Sequence, residues 1–225
     1  MENRHLHTRV KTAKGRKKSS IQWLQRQLND PYVAEAHRQG YRGRAAFKII
    51  DMNNQFHFFK KGCRVVDLGC APGGWTQVAT NIVGSTEENP LVFGLDILPT
   101  PPIVGAKLLQ MDFLAEQAPE ELKKIMNGKA DVVVSDMAAN TTGVPSIDHL
   151  RIMNLVELAY DFAKQVLNPN GWFIAKIFAG GTEQKLLAQM KKDFDVVKHV
   201  KPPSSRKDSV EFYVVAKGFK CGRNK

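Results

Sequence analysis

Positions 1–20 are polar and basic with no recurring apolar face, so the first stretch of the chain predicts no packed element of its own. From Ser20 onward Ile21, Leu24 and Leu28 recur at helical spacing, with Ser19 or Ser20 as cap and Asn29-Asp30-Pro31 as terminator. A second helix is predicted over Ala45–Phe56, where Arg44 and Lys48, one turn apart, share a face. After Lys60-Lys61-Gly62 the pattern changes. Short, nearly continuous apolar runs at Arg64–Leu68, Leu91–Leu95, Lys107–Met111, Asp131–Ser135 and Trp172–Ile177 alternate with helical segments near Trp75–Val83, Glu116–Met126, His149–Leu167 and Glu183–Lys192. Buried strands separated by helix-length segments predict a parallel sheet covered on both faces. Phe194–Val200 and Val210–Ala216 are joined by a segment too short for a crossover helix, so they predict a hairpin and an antiparallel last strand. The expectation is an α/β, Rossmann-like fold around a seven-stranded, mostly parallel sheet.

The length of 225 residues suits one such domain with an appendage. Charge sharpens the division. Of the net +11, residues 1–48 carry 12 basic and 3 acidic side chains and residues 198–225 carry 8 and 2, while the middle is mildly acidic. This segregation predicts a polyanionic partner. With the predicted elements, it leads to an expected division into a basic extension over 1–40, one α/β domain over 41–220 and a basic tail over 221–225. No run approaches the ~18 apolar residues of a membrane span, and no apolar segment follows the basic N-terminus as in a secretory signal. The three cysteines, Cys63, Cys70 and Cys221, have no C-x-x-C spacing, which argues against disulfides and zinc. A cytoplasmic monomer without metal or membrane contact is expected.

Candidate chemistry begins where the first strand ends, at Asp67-Leu68-Gly69-Cys70-Ala71-Pro72-Gly73-Gly74-Trp75. Gly69, Gly73 and Gly74 at a strand-to-helix turn let a ligand approach the backbone and the helix N-terminus. The spacing G-x-x-x-G-G is not that of a dinucleotide site, and Asp67 repels a pyrophosphate but favours an ammonium group. Asp96 after the second strand can accept two ribose hydroxyls, and Asp112 after the third can accept an adenine amino group. Each acid alone is also an ordinary loop or cap residue. Three in order line one crevice at the carboxyl edge of the sheet, and aminoacyl, ribose and adenine together describe S-adenosylmethionine.

The fourth strand delivers Ser135-Asp136-Met137-Ala138-Ala139-Asn140, and the fifth carries Lys176 within Phe173–Phe178. A lysine in an apolar strand demands a partner, and Glu211 is an acid in a similar setting; a buried ion pair or snorkelling would account for either alone. Taken together, Arg44-Ala45-Ala46-Phe47-Lys48, D-L-G-C-A-P-G-G-W from Asp67, S-D-M-A-A-N from Ser135, A-K-I-F from Ala175 and S-V-E-F-Y from Ser209 resemble the FtsJ/RrmJ family of 2′-O-ribose RNA methyltransferases. Cys70 stands where relatives commonly have alanine and Ala139 where proline is usual.

The resemblance implies a class I S-adenosylmethionine-dependent methyltransferase fold. It implies a catalytic tetrad of Lys48, Asp136, Lys176 and Glu211, with cofactor contacts from Gly73, Trp75, Asp96, Asp112 and Asp136. It also implies bacterial members that methylate a uridine of 23S rRNA, with the assembled or assembling large ribosomal subunit as partner. A ribose hydroxyl needs its proton removed before it attacks a methyl group. Lys176 is the expected base, oriented by Asp136, with Lys48 steadying the alkoxide and Glu211 positioning Lys48 or the ribose. The same chemistry on tRNA or another RNA, and a non-catalytic RNA-binding assembly factor, remain alternatives at this level.

Overall fold

In the computed structural model of the chain, residues 8–10, 12, 14–139, 142–178, 184–206 and 208–221 are described. Asn140 and the predicted helix start at Glu183 lie outside them, as does most of the predicted tail. Seven strands, β1 (Val65–Leu68), β2 (Val92–Asp96), β3 (Ala106–Gln110), β4 (Ala130–Ser135), β5 (Leu167–Phe178), β6 (Phe194–Val200) and β7 (Glu211–Phe219), form one sheet in the order β3-β2-β1-β4-β5-β7-β6. β7 pairs antiparallel with both of its neighbours, and the pairings among β1 to β5 are parallel. The expected α/β fold with its antiparallel last strand is therefore the one observed. The order steps outward from β1 in both directions, which places a switch point, and hence a ligand crevice, at the carboxyl ends of β1 and β4.

Helices α1 (Lys18–Leu28), α2 (Pro31–Arg38), α3 (Ala45–Phe56), α4 (Gly74–Val83), α5 (Ala118–Met126), α6 (Pro145–Val166) and α7 (Gln184–Asp193) complete the architecture. Two expectations need correction here. α1 begins at Lys18, so Ser19 and Ser20 are inside the helix rather than at its cap. Asp30-Pro31 ends α1 but also starts α2: the Asp30 carboxylate accepts from the Tyr32 N–H, and Pro31 occupies the first turn, where no N–H is needed. A terminator for one helix was the cap of the next.

Alternation along the strands sorts the core into two halves. Val66, Leu68, Val133, Phe173 and Ala175 pack toward α5, α6 and α7. Val65, Val132, Val134, Ile174, Tyr213 and Val215 pack toward α3 and α4. By the same period of two, Asp67, Asp136, Lys176 and Glu211 all fall on the α3/α4 side, where α3 carries Lys48. The sheet brings the charged residues to one face, and the apolar neighbours on that face bury Asp67 and Lys176.

Candidate active site

A cleft of about 700 Å³ opens at the carboxyl ends of the strands, within the size range of small-molecule sites. Gly69, Ala71, Asp96, Asp112, Asp136 and Met137 line it, with Leu98, Leu114 and the α6 residues Asn154 and Leu155 on its outer wall. Gly69 has φ +79°, and a Cβ there would sit 2.8 Å from the Met137 nitrogen, so only glycine lets the β1 and β4 exits touch. Asp96 accepts from the Ala71 N–H (2.8 Å) and the Leu98 N–H (2.8 Å), one on each oxygen. Asp112 accepts from Leu114 N–H at 2.9 Å through one oxygen. Because each carboxylate oxygen can accept more than one hydrogen bond, both acids retain acceptor capacity toward the cleft.

Four other expected cofactor residues, Asp67, Gly73, Gly74 and Trp75, do not line this cleft. Trp75 is 4% exposed; its indole N–H donates to the Ala45 carbonyl (2.8 Å), and its ring lies 5.6 Å from that of Tyr213. It fixes α3 against the sheet. Gly74 is buried against the backbone of Ala46. Gly73, with φ +111°, packs against Arg42, whose guanidinium donates to the carbonyls of Pro72 (3.1 Å), Pro101 (2.6 Å) and Pro102 (2.7 Å). Arg42 thereby ties together the two loops beside the cleft. The sequence reading passed over it, because a guanidinium holding carbonyls has no spacing signature.

Asp67 is 1% exposed and accepts from the Thr76 hydroxyl at 2.7 Å; its other oxygen has no hydrogen-bond partner among the described residues. Burial pushes its carboxyl up to about 7, opposed by the Thr76 hydrogen bond and assisted by the charges of Asp136 and Asp96. An unfolded aspartate titrates near ~3.9, so the folded protein holds this proton more tightly. The resulting stabilisation is complete below about pH 4 and is lost as pH rises through about 7. Asp67→Asn cannot ionise. Its stability relative to wild type should therefore rise by up to about 4 kcal/mol between pH 4 and pH 8 in urea melts. A difference that stays flat with pH would show that Asp67 ionises normally.

The tetrad meets at the rim of the cleft, and Asp136 belongs to both. Lys176 Nζ lies 2.8 Å from the Asp136 carbonyl, 3.1 Å from Asp136 Oδ1 and 3.9 Å from Glu211 Oε1. Lys48 Nζ donates to Glu211 Oε2 at 2.9 Å. Lys176 is 5% exposed, while Asp136 and Glu211 keep an open edge. Two cations and two anions balance, which is why burial of this lysine is tolerated. Burial opposes the charged form of Asp136, yet Lys176, Lys48 and the Tyr213 hydroxyl together hold its carboxyl below the usual carboxylate range.

Tyr213 is a second residue, after Arg42, that the sequence pattern did not single out. It pairs directly with Lys176 across β5 and β7, is fully buried, and donates its hydroxyl to Asp136 Oδ1 at 2.8 Å. Burial and the charges of Asp136 and Glu211 push its phenol well above the ordinary range, so it remains a donor. Its spacing of two from Glu211 was visible in the sequence and places both on one strand face.

This arrangement can orient a buried amine against an open, acid-lined cleft, as a group-transfer site requires. Among the described residues no cluster of His, Cys, Asp and Glu is placed to hold a metal ion, and no helix is long and apolar enough to cross a membrane. The family model for FtsJ-like methyltransferases matches residues 41–219. The chain is 60% identical over 220 residues to the ribosomal RNA large subunit methyltransferase E of Paramagnetospirillum magneticum, covering 97% of this chain and 90% of that protein. It is 56% identical over 217 residues to the protein of the same name from Azorhizobium caulinodans, covering 96% and 90%. Among solved structures, a ribosomal RNA methyltransferase of Plasmodium falciparum superposes with a TM-score of 0.68 at 30% identity, over 80% of this chain and 98% of that one. With the family match spanning the whole sheet and every member of the tetrad, the chain belongs to the FtsJ-like methyltransferases.

Proposed function

We propose that this methyltransferase moves a methyl group from S-adenosylmethionine to the 2′-hydroxyl of a uridine ribose in the large-subunit rRNA, in the cytoplasm. The observation that carries the reading is the juxtaposition at Asp136: on one side a cleft with three carboxylates, on the other a buried lysine. The names of the two bacterial relatives support rRNA as the substrate.

Asp96 and Asp112 suit ribose hydroxyls and an adenine amino group, and the unpartnered oxygen of Asp67 leaves one buried acceptor behind the glycine turn. The cofactor, when bound, supplies an electrophilic methyl group. In its uncharged amine form Lys176 Nζ takes the proton of the 2′-hydroxyl as the ribose oxygen attacks, becoming the ammonium that Asp136 and Glu211 neutralise. Asp136 holds Lys176 by both a carbonyl and a carboxylate oxygen, and the Tyr213 hydroxyl holds Asp136. Lys48, positioned by Glu211, faces the same open edge and stabilises the developing alkoxide. The basic extension over 1–40 and the 221–225 tail would contact RNA phosphates.

The deciding test is methyl transfer to large ribosomal subunits lacking the modification, with 2′-O-methyl positions mapped in rRNA from cells with and without the protein. Identical maps would overturn the proposal. Cofactor binding is checked separately: Asp96→Ala should weaken S-adenosylmethionine by roughly 1 to 3 kcal/mol in calorimetry, the cost of unpaired ribose hydroxyls. Unchanged affinity would remove Asp96 from the site.

A further inference from the structure

Asp30 lies far from the tetrad in sequence and outside the strand-end acids, yet its carboxylate is nearly buried, with 7% of its side chain exposed. Two guanidinium groups converge on its Oδ2. Arg44 bonds to it from the start of α3, and Arg206 bonds to it through Nε (3.2 Å) and Nη2 (3.0 Å) from the loop between β6 and β7. Its Oδ1 accepts the Tyr32 N–H that caps α2.

Both arginines lead directly to the catalytic centre. Arg44 is one turn ahead of Lys48 on α3 and also donates to the Ser204 carbonyl. Asp51, farther along α3, accepts the Ser204 N–H at 2.9 Å, so the loop is held to the helix twice. The Arg206 carbonyl accepts the Ser209 N–H (3.1 Å), and the Ser209 hydroxyl lies 3.2 Å from Glu211 Oε2, the oxygen that binds Lys48. The contacts close a ring: Asp30 to Arg44, along α3 to Lys48, across to Glu211, back through Ser209 to Arg206, and again to Asp30.

We infer that Asp30 is a positioning residue for methyl transfer, closing a ring of hydrogen bonds that sets the distance between Lys48 and Glu211. Without its charge, two guanidinium groups face each other in a poorly solvated space and repel, and Arg206 shifts away from α3 with the Ser209 end of the loop, while Ser204 stays held. Glu211 follows that loop by a few residues. A displacement of about 1 Å at a reacting group can lower a rate about 10²-fold. The inference rests on the proposed RNA methyl transfer and adds an element to it: the helix preceding the family match takes part in the geometry of the site.

Asp30→Asn tests it, because asparagine keeps the Oδ1 acceptor for the α2 cap and replaces the charged Oδ2 with an NH2 group that cannot accept from either guanidinium. Single-turnover transfer at saturating S-adenosylmethionine and saturating large-subunit substrate should fall about 10- to 100-fold, while cofactor affinity and the apparent affinity for the subunit stay at wild-type values. Arg206→Gln should fall similarly, and the double variant should be no slower than the slower single one, since either change opens the same ring. Glu121→Gln, which removes an exposed pairing with Lys124 on α5, is the control and should keep full rate.

Wild-type rate in Asp30→Asn would overturn the inference, as would losses that multiply in the double variant. A loss confined to subunit affinity would also overturn it, because the arginines would then be phosphate contacts. If Asp30→Asn does not fold, Arg206→Gln decides by the same split between rate and affinity. A wild-type protein that transfers no methyl group would instead defeat the functional proposal.

Discussion

Lys176→Arg should lose as much of the chemical step as Lys176→Ala, with single-turnover methyl transfer about 10² to 10⁴-fold slower in both. Arginine keeps a positive charge beside Asp136, so a residue needed only for its charge would tolerate the change. It cannot give up its proton at accessible pH, so a residue needed to accept one cannot be replaced in this way. The surroundings make the comparison clean. Lys176 Nζ is fixed by the carbonyl and the carboxylate of one residue, Asp136, and its exposure of 5% leaves little room for water to take its place. Cofactor binding should persist in both variants, because Lys176 does not line the cleft. Near-normal transfer by the arginine variant would assign the proton to another acceptor.

Asp136→Ala should be the most damaging change for fold and chemistry together. It removes the anion beside a buried lysine and leaves Lys176 with Glu211 at 3.9 Å as its nearest remaining carboxylate. It also strips the Tyr213 hydroxyl of its acceptor in a fully buried position. Breaking a buried ion pair from one side typically costs about 3 to 5 kcal/mol. Because the folded carboxyl lies below the ordinary value, its stabilisation is complete above about pH 4 and fades as pH falls through the folded value. Urea melts should therefore show a constant deficit between pH 6 and pH 8 that shrinks in strong acid. Methyl transfer at neutral pH should fall by at least about 10²-fold through misplacement of Lys176. A variant as stable as wild type would mean that Lys176 finds another partner and that the pair is not the anchor of the site.

Much of this protein was legible in the order of its residues. Short apolar runs separated by helix-length segments determined a parallel sheet, since a strand buried on both faces has no reason to alternate. Asp96 and Asp112 were legible because strand ends in such a sheet open onto one edge, whatever their order. Lys176 stood out because a lysine in an apolar strand requires a partner. Which partner it has is a different kind of fact. The period of two says that Glu211 and Tyr213 share a face, but it does not say that β7 lies beside β5 or that Tyr213 stands opposite Lys176; those follow from a sheet order decided by competing packings of all seven strands. The same limit hid the burial of Asp67 and Trp75, which turn away from the cleft because α3 and α4 cover that side of β1. It hid Asp30 most completely: a short carboxylate before a proline reads locally as a turn, and only a fold that brings residues 30, 44 and 206 within bonding distance makes it the meeting point of two guanidinium groups.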